Sequence, residues 1–279
     1  TAIQMERLLV HLRSERPSNI IGNETRCQLA PGAQQSSDWA TIISGQPRGN
    51  MKQAREEYEN IINQMDSPAP DVFAHVWISD KLLSIWGDRG WMGAAGNQDD
   101  TPVYSPQDVI DIWQPKGIMV ENNDEMWFNS QIENPKWRNG FSMTYATKMA
   151  HRVMTLFEQH MAEQNYKYVM RWRYDIHLGK EKNKSVDWKQ IEDTISDENT
   201  IIIPPGWDWG NYGCCDLFGI GSHRAMLLYS MWNEFFMGTI PLHANNEGSL
   251  RHYLEKICGL RLVEYPFGCL GIHRSETVH

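Results

Sequence analysis

The stretch from Trp39 to Trp77 constrains the fold of this chain more than any other. Trp39-Ala-Thr-Ile-Ile-Ser44 is a short apolar run of β-formers, closed by Gly45-Gln46-Pro47-Arg48-Gly49. From Met51 to Met65 the chain is charged, and Tyr58, Ile61, Ile62 and Met65 recur at helical spacing. Asp71-Val-Phe-Ala-His-Val-Trp77 then reads as a second strand. A helix between two strands is the crossover that parallel pairing requires, so this is a βαβ unit and the expected class is α/β.

The rest of the chain extends that pattern. Ile118–Glu121 reads as a third strand, and Ser142–Gln164 as the best helix, with Tyr145, Met149, Val153, Leu156 and Phe157 on one side. Tyr168–Asp175 is a strand that ends in charge, Thr200–Ile203 another that Pro204-Pro205-Gly206 stops, and Arg261–Glu264 a last one. Ser222–Phe236 and Ser249–Cys258 read as helices. Residues 79–107 carry no period and are expected to be a long loop beside the site. The first 37 residues read as an extension, with a short helix at Met5–Leu12 and loop from Arg16 to Ser37. The domain is therefore expected to be 38–279.

Charge limits the partners. A formal net charge of −9 is repelled by nucleic-acid phosphates, so a nucleic-acid partner is not expected. No run reaches the roughly 18–20 apolar residues of a membrane span, and Thr1–Arg16 lacks the apolar core of a signal peptide. The five cysteines form no CxxC pair, which points to free thiols in a reducing, cytoplasmic compartment. Twelve Trp and ten Tyr suit either sugar stacking or core filling; composition leaves that open.

Ligands of open α/β sheets bind beyond the carboxyl ends of the strands, so polar clusters there matter most. In the first, Gly45 allows close backbone approach, Gln46 and Arg48 offer donors, and the following helix turns its positive end to the loop; an ordinary turn with a solvated Arg has the same sequence. The second is His75 beside Trp77, which equally reads as a half-buried core histidine. In the third, alternation along an extended chain puts Arg171, Arg173, Asp175 and His177 on one side. Four ionisable groups there are costly to bury without a partner, and a cation bridging a nucleotide diphosphate would supply one. A solvated, salt-bridged edge strand is the alternative. Asp216, in an apolar Gly-flanked segment, reads as a general base or a helix anchor. Glu247 reads as a second acid or a helix cap, and His273 as a site residue or part of a polar tail.

Taken in order, "IISGQPRG", "DVFAHVW", "YKYVMRWRYDIHL", "DLFGIGSHRAMLLYS" and "NNEGSL" resemble a family of GT-A-type glycosyltransferases. Its members occur in bacterial surface-polysaccharide loci and in large DNA viruses of algae, where they build capsid glycans. The resemblance spans roughly 38–274. It implies a Rossmann-like GT-A fold, a UDP-sugar or other nucleotide-sugar donor, a glycan or glycoprotein acceptor, and Mn²⁺ or Mg²⁺. It places the family's acidic metal position at Asp175, with His177 where a strict DxD would have a second acid and His273 as the C-terminal ligand. It gives the loop with Gly45, Gln46 and Arg48 to the nucleotide and Asp216 to the acceptor side; on the residues themselves His75, Arg171 and Arg173 are expected beside the nucleotide, and Asp216, with Glu247 second, to take the acceptor proton. Transfer of xylose from UDP-xylose, in the host cytoplasm for a viral enzyme, is the leading expectation. Two other functions remain open on the residues alone. A metal-dependent hydrolase would suit the His and Asp content, although no HExxH occurs. A non-catalytic sugar-binding protein would suit the aromatic content.

Overall fold

A computed structural model of the chain describes residues 26–78, 103–122, 135–161, 165–177, 185–205, 213–243, 246–267 and 271–272. The strands are β1 (Arg26–Leu29), β2 (Trp39–Gly45), β3 (Asp71–Ile78), β4 (Gly117–Asn122), β5 (Tyr168–Trp172), β6 (Ile176–His177), β7 (Thr200–Ile203), β8 (Gly219–Ser222), β9 (Arg261–Glu264) and β10 (Gly271–Ile272). The helices are α1 (Met51–Ile62), α2 (Pro106–Trp113), α3 (Pro135–Met161), α4 (Trp188–Ile195), α5 (His223–Ser230), α6 (Trp232–His243) and α7 (Asn246–His252), which runs on as a π-helical turn over Tyr253–Ile257.

Eight strands form one sheet in the order β1-β4-β3-β2-β5-β8-β7-β9. The pairs β4/β3, β3/β2, β2/β5 and β7/β9 are parallel, while β1 and β8 run antiparallel to their neighbours. The fold is thus a mixed α/β fold with a largely parallel sheet flanked by helices. From β2 the chain passes to β3 and β4 on one side, and β5 then pairs with β2 on the other. In open α/β sheets such a reversal marks the place, beyond the carboxyl ends of β2 and β5 here, where a ligand crevice forms.

Alternation along each strand feeds two cores. In β2, Trp39 and Ile43 face the core under α1, α2 and α4, whereas Ala40 and Ile42 face the one under α3, α5, α6 and α7. Aromatic rings fill much of the first core, with Tyr58 5.4 Å from both Trp113 and Trp172. Trp39, Trp77, Trp113, Trp172, Trp188 and Trp232 are all buried, so for these six the choice between sugar stacking and core packing falls to packing.

Local chemistry sets the helix starts. The Asn50 side chain accepts from the Gln53 amide at 3.1 Å to open α1. Ser105 and Asp108 make a reciprocal capping box before α2, with Pro106 in its first turn.

Several sequence expectations change. The loop expected over Arg16–Ser37 contains β1, which pairs with β4 from Arg26↔Val120 to Leu29↔Gly117. The loop expected over 79–107 gives way to α2 at Pro106, and residues 79–102 lie outside the described ones, as does the Met5–Leu12 helix. The strand expected over Tyr168–Asp175 stops at Trp172, and a turn at Tyr174 and Asp175 separates it from β6. Ser222–Phe236 divides into two helices at Met231.

Candidate active site

At the carboxyl ends of β2 and β5 the fold brings together Arg48, Arg173 and Asp175 of the polar residues singled out above. β2 ends at Gly45, whose φ of +116° lies where only glycine is comfortable. The turn carries the chain through Gln46, which is buried, to Arg48. A short antiparallel bridge between Arg48 and Val103, and a hydrogen bond from the Tyr104 amide to the Pro47 carbonyl at 2.9 Å, hold this loop down.

Arg48 reaches the turn that follows β5. Its Nε lies 3.4 Å from Asp175 Oδ2, and Arg173 Nη2 lies 2.9 Å from the same oxygen. The Asp175 side chain is only 2% exposed, and each arginine side chain 15%. Two guanidinium groups therefore share one oxygen of a buried carboxylate.

Arg171 does not join them. It precedes the turn, and its Nε donates to Thr147 Oγ1 at 3.2 Å and its Nη1 to Tyr229 Oη at 3.1 Å. Thr147 is in turn 3.3 Å from Ser44 Oγ, so β2, α3, β5 and α5 are tied together at this end of the sheet. The expectation that Arg171, Arg173, Asp175 and His177 line one side of a continuous strand is corrected by the turn. Arg171 is fully buried under α3 and α5, which removes it from direct contact with a nucleotide. Arg171 instead lines, together with Asp216, Thr147 and Tyr229, a packing gap too small to hold a water molecule.

Asp216 is buried in the loop before β8, and burial pushes its carboxyl up while Arg171 and Arg173 pull it down. Glu247 lies in the first turn of α7. The Cys214 amide donates to the Glu247 carbonyl at 3.3 Å, and Arg251 donates to the Gly213 carbonyl at 3.0 Å, which docks α7 on the Asp216 loop. Burial and the neighbouring charge of Asp216 push Glu247 up to about 7. The fold brings together the two acids named as base candidates, which are 31 positions apart in the chain.

His75 is elsewhere. Its Nε2 is 2.8 Å from Glu121 Oε2, its ring packs edge-on to Trp77 at 4.6 Å, and it is wholly buried. The reading of His75 as a nucleotide contact is corrected to a core histidine. The amino end of α1, expected to face an anion, has its Gln53 amide taken by Asn50.

Of the three expected metal ligands, only Asp175 has a side chain among those described. Among the described residues no group of three or more His, Cys, Asp or Glu side chains is gathered to hold a metal ion. Asp175, the expected oxygen ligand, already carries two guanidinium groups on one oxygen, and a divalent ion there would be repelled by both. His177 is placed by its backbone in β6, opposite Gly271 of β10, and His273 lies outside the described residues.

Sequence reasoning missed Thr147 and Tyr229 as partners of Arg171. The hydroxyl of Thr147 on the apolar helix α3 was the available signal, since an Arg buried in β5 needs such an acceptor. A separate cleft, lined by Gln34, Ser36, Asp38, Lys167 and Glu192, opens at the amino ends of β2 and β5. It lies at the amino ends of the strands and has mixed charge, whereas ligands of open α/β sheets bind at the carboxyl ends, so the carboxyl ends of β2 and β5 remain the candidate site. No helix among the described residues is long and apolar enough to cross a membrane. No protein-family model and no curated protein matches the chain.

Proposed function

We propose that this chain is a glycosyltransferase of the GT-A kind that moves a sugar from a nucleotide-sugar donor to a glycan or glycoprotein hydroxyl. One observation carries the reading. A cationic pair on a buried carboxylate (Arg48 and Arg173 on Asp175) lies at the carboxyl ends of β2 and β5, and two acids, Asp216 and Glu247, the first raising the proton affinity of the second, come from the loop before β8 and the start of α7. Phosphate recognition and proton removal are the two chemistries that an inverting glycosyl transfer requires. The strand order β4-β3-β2-β5 supports the nucleotide half, since it repeats the 3-2-1-4 order of nucleotide-binding sheets. Antiparallel β8 between β5 and β7 departs from the fully parallel arrangement, so the GT-A assignment rests on the sequence resemblance as well.

In the proposed reaction the acceptor oxygen attacks the anomeric carbon of the donor. The new carbon–oxygen bond forms as the bond to the phosphate oxygen breaks, and that electron pair leaves with the diphosphate. Arg48 and Arg173 meet the charge that develops there. The acceptor proton passes to the Asp216–Glu247 pair. Glu247 is the less buried member and is held near 7, close to where a general base works best. Asp216 is more deeply buried, and its charge acts on Glu247, which suits it to tune Glu247 rather than to touch the acceptor.

UDP-sugars, UDP-xylose among them, are the first donors to test, and a cytoplasmic site of action is part of the proposal. The test is a thermal-shift screen of UDP-, GDP- and dTDP-sugars, because a ligand that binds only the native state raises the melting temperature by mass action. A rise with a sugar nucleotide, followed by transfer to an acceptor, supports the reading. Cleavage of simple esters or phosphoesters without any sugar nucleotide would replace it with a hydrolase.

A further inference from the structure

We propose that Arg48 and Arg173, locked side by side by Asp175, are themselves the diphosphate clamp and neutralise the leaving group without a divalent cation. The inference rests on the nucleotide-sugar reading and specifies how its donor site works. Its basis is the way one buried carboxylate is used. Asp175 Oδ2 receives Arg48 Nε at 3.4 Å and Arg173 Nη2 at 2.9 Å. A metal on that carboxylate would have to displace both cations or sit among them, and either arrangement sets like charges side by side in a poorly solvated place.

The arrangement makes sense if the carboxylate positions the arginines. Arg48 comes from the loop after β2 and Arg173 from the turn after β5, so they approach from the two strands that border the crevice. Two guanidinium groups brought close together repel; a carboxylate between them offsets that repulsion and fixes both planes. The result is two planar forks side by side at the end of the sheet, each partly exposed, a shape suited to the oxygens of a diphosphate. Both side chains keep some exposure while Asp175 has almost none, as a clamp open to a ligand and closed behind it requires. Arg171 lies too deep to contribute directly, and the Gln53 amide at the start of α1 is already committed to Asn50. The leaving electron pair is thus received by phosphate oxygens held on Arg48 and Arg173, and the acceptor proton still leaves through the carboxylate pair.

The experiment is calorimetric titration of the full chain with UDP, GDP and dTDP, first in excess EDTA and then in excess Mn²⁺. The expected result is that one of them binds in EDTA and that Mn²⁺ changes the affinity by less than about tenfold. Arg48→Gln and Arg173→Gln should each weaken that binding by more than about tenfold, while Arg48→Lys, a milder change, retains part of it. Asp175→Asn keeps an oxygen for both guanidinium groups and should still bind in EDTA. Circular dichroism of each variant reports whether it is folded. Binding only in Mn²⁺, lost in Asp175→Asn, would overturn the proposal and leave the glycosyltransferase reading intact. Binding in EDTA that neither arginine variant weakens would overturn it too. Failure of all three nucleotides in both conditions would remove the donor reading, and this proposal with it.

Discussion

Arg173 Nη2 lies 2.9 Å from Asp175 Oδ2, two residues along the same chain, because the turn after β5 folds the arginine back onto the acid. A straight strand would have held these side chains apart along one face. The turn instead lets Arg48 share the same oxygen from β2, which makes the pair the natural place to disturb the site.

Arg48→Ala is expected to weaken an intact nucleoside diphosphate by about 1.5–3 kcal/mol, the range for a charge-assisted hydrogen bond, and the free nucleoside hardly at all. Calorimetry of UDP beside uridine checks this. Equal losses for both ligands would move Arg48 away from the phosphates.

The carboxylate pair predicts a pH profile. A base must be unprotonated to act, so turnover should rise with pH through about 7, where Glu247 titrates. Asp216→Asn removes the negative neighbour that pushes Glu247 up, so the rising limb should move to lower pH with donor affinity nearly unchanged. Glu247→Gln should lose the limb and about 10²–10⁴ in rate. If both variants stay within about tenfold of the parent rate, no enzymic base is at work. Proton NMR of the product then decides the matter, since retention of the anomeric configuration needs no such base.

Much of the fold was legible in the sequence, and the reasons are local. The βαβ unit from Trp39 to Trp77 carries strong periodicity and a glycine-closed turn, and β2, α1 and β3 lie where these signals point. The turn at Tyr174 and Asp175 was hidden because Arg171 to His177 alternates like a strand, and only the fold shows that Arg171 faces Thr147 while Arg173 turns back to Asp175. β1 was missed because Arg26–Leu29 is a short edge strand with little apolar pattern. Within the site, Arg48, Arg173, Asp175, Asp216 and Glu247 announced themselves as charges in apolar or glycine-rich surroundings. The burial of His75 against Glu121 depends on β3 and β4 being neighbours, which no local pattern records.

Gly140 tests how α7 is positioned. A Cβ there would collide with the Phe236 ring and the side chain of Asn246, the residue before Glu247. Gly140→Ala should therefore cost about 1–3 kcal/mol of stability, the usual range for overpacking. It should also lower turnover more than donor affinity, because the displaced segment carries Glu247. Urea denaturation and a comparison of kcat with donor Kd check the two parts. An unchanged kcat in a destabilised variant would separate Glu247 from the chemistry.

His151 should make the protein acid-sensitive. It is buried, Ser230 Oγ meets its Nδ1 at 3.1 Å, and its Nε2 has no hydrogen-bond partner. Burial first, and then the neighbouring His223, hold its pKa well below the ordinary value. Above about pH 6.5 the ring is neutral in both folded and unfolded chains and costs nothing. Below it the unfolded chain takes up a proton that the folded one refuses, so stability falls by up to about 1.4 kcal/mol per pH unit until the folded ring titrates. Urea midpoints between pH 7.5 and 5.5 should fall in the parent by more than in His151→Gln. Parallel curves for the two proteins would exclude His151 as the source.

The most direct measurement of the central claim is calorimetric binding of UDP-, GDP- and dTDP-sugars to the parent chain and to the Arg48→Ala/Arg173→Ala double variant. One of these donors should bind the parent chain, and the folded double variant should lose that binding. Binding of none of them to the parent chain, or equal binding to both proteins, would contradict the assignment of this crevice as a nucleotide-sugar site.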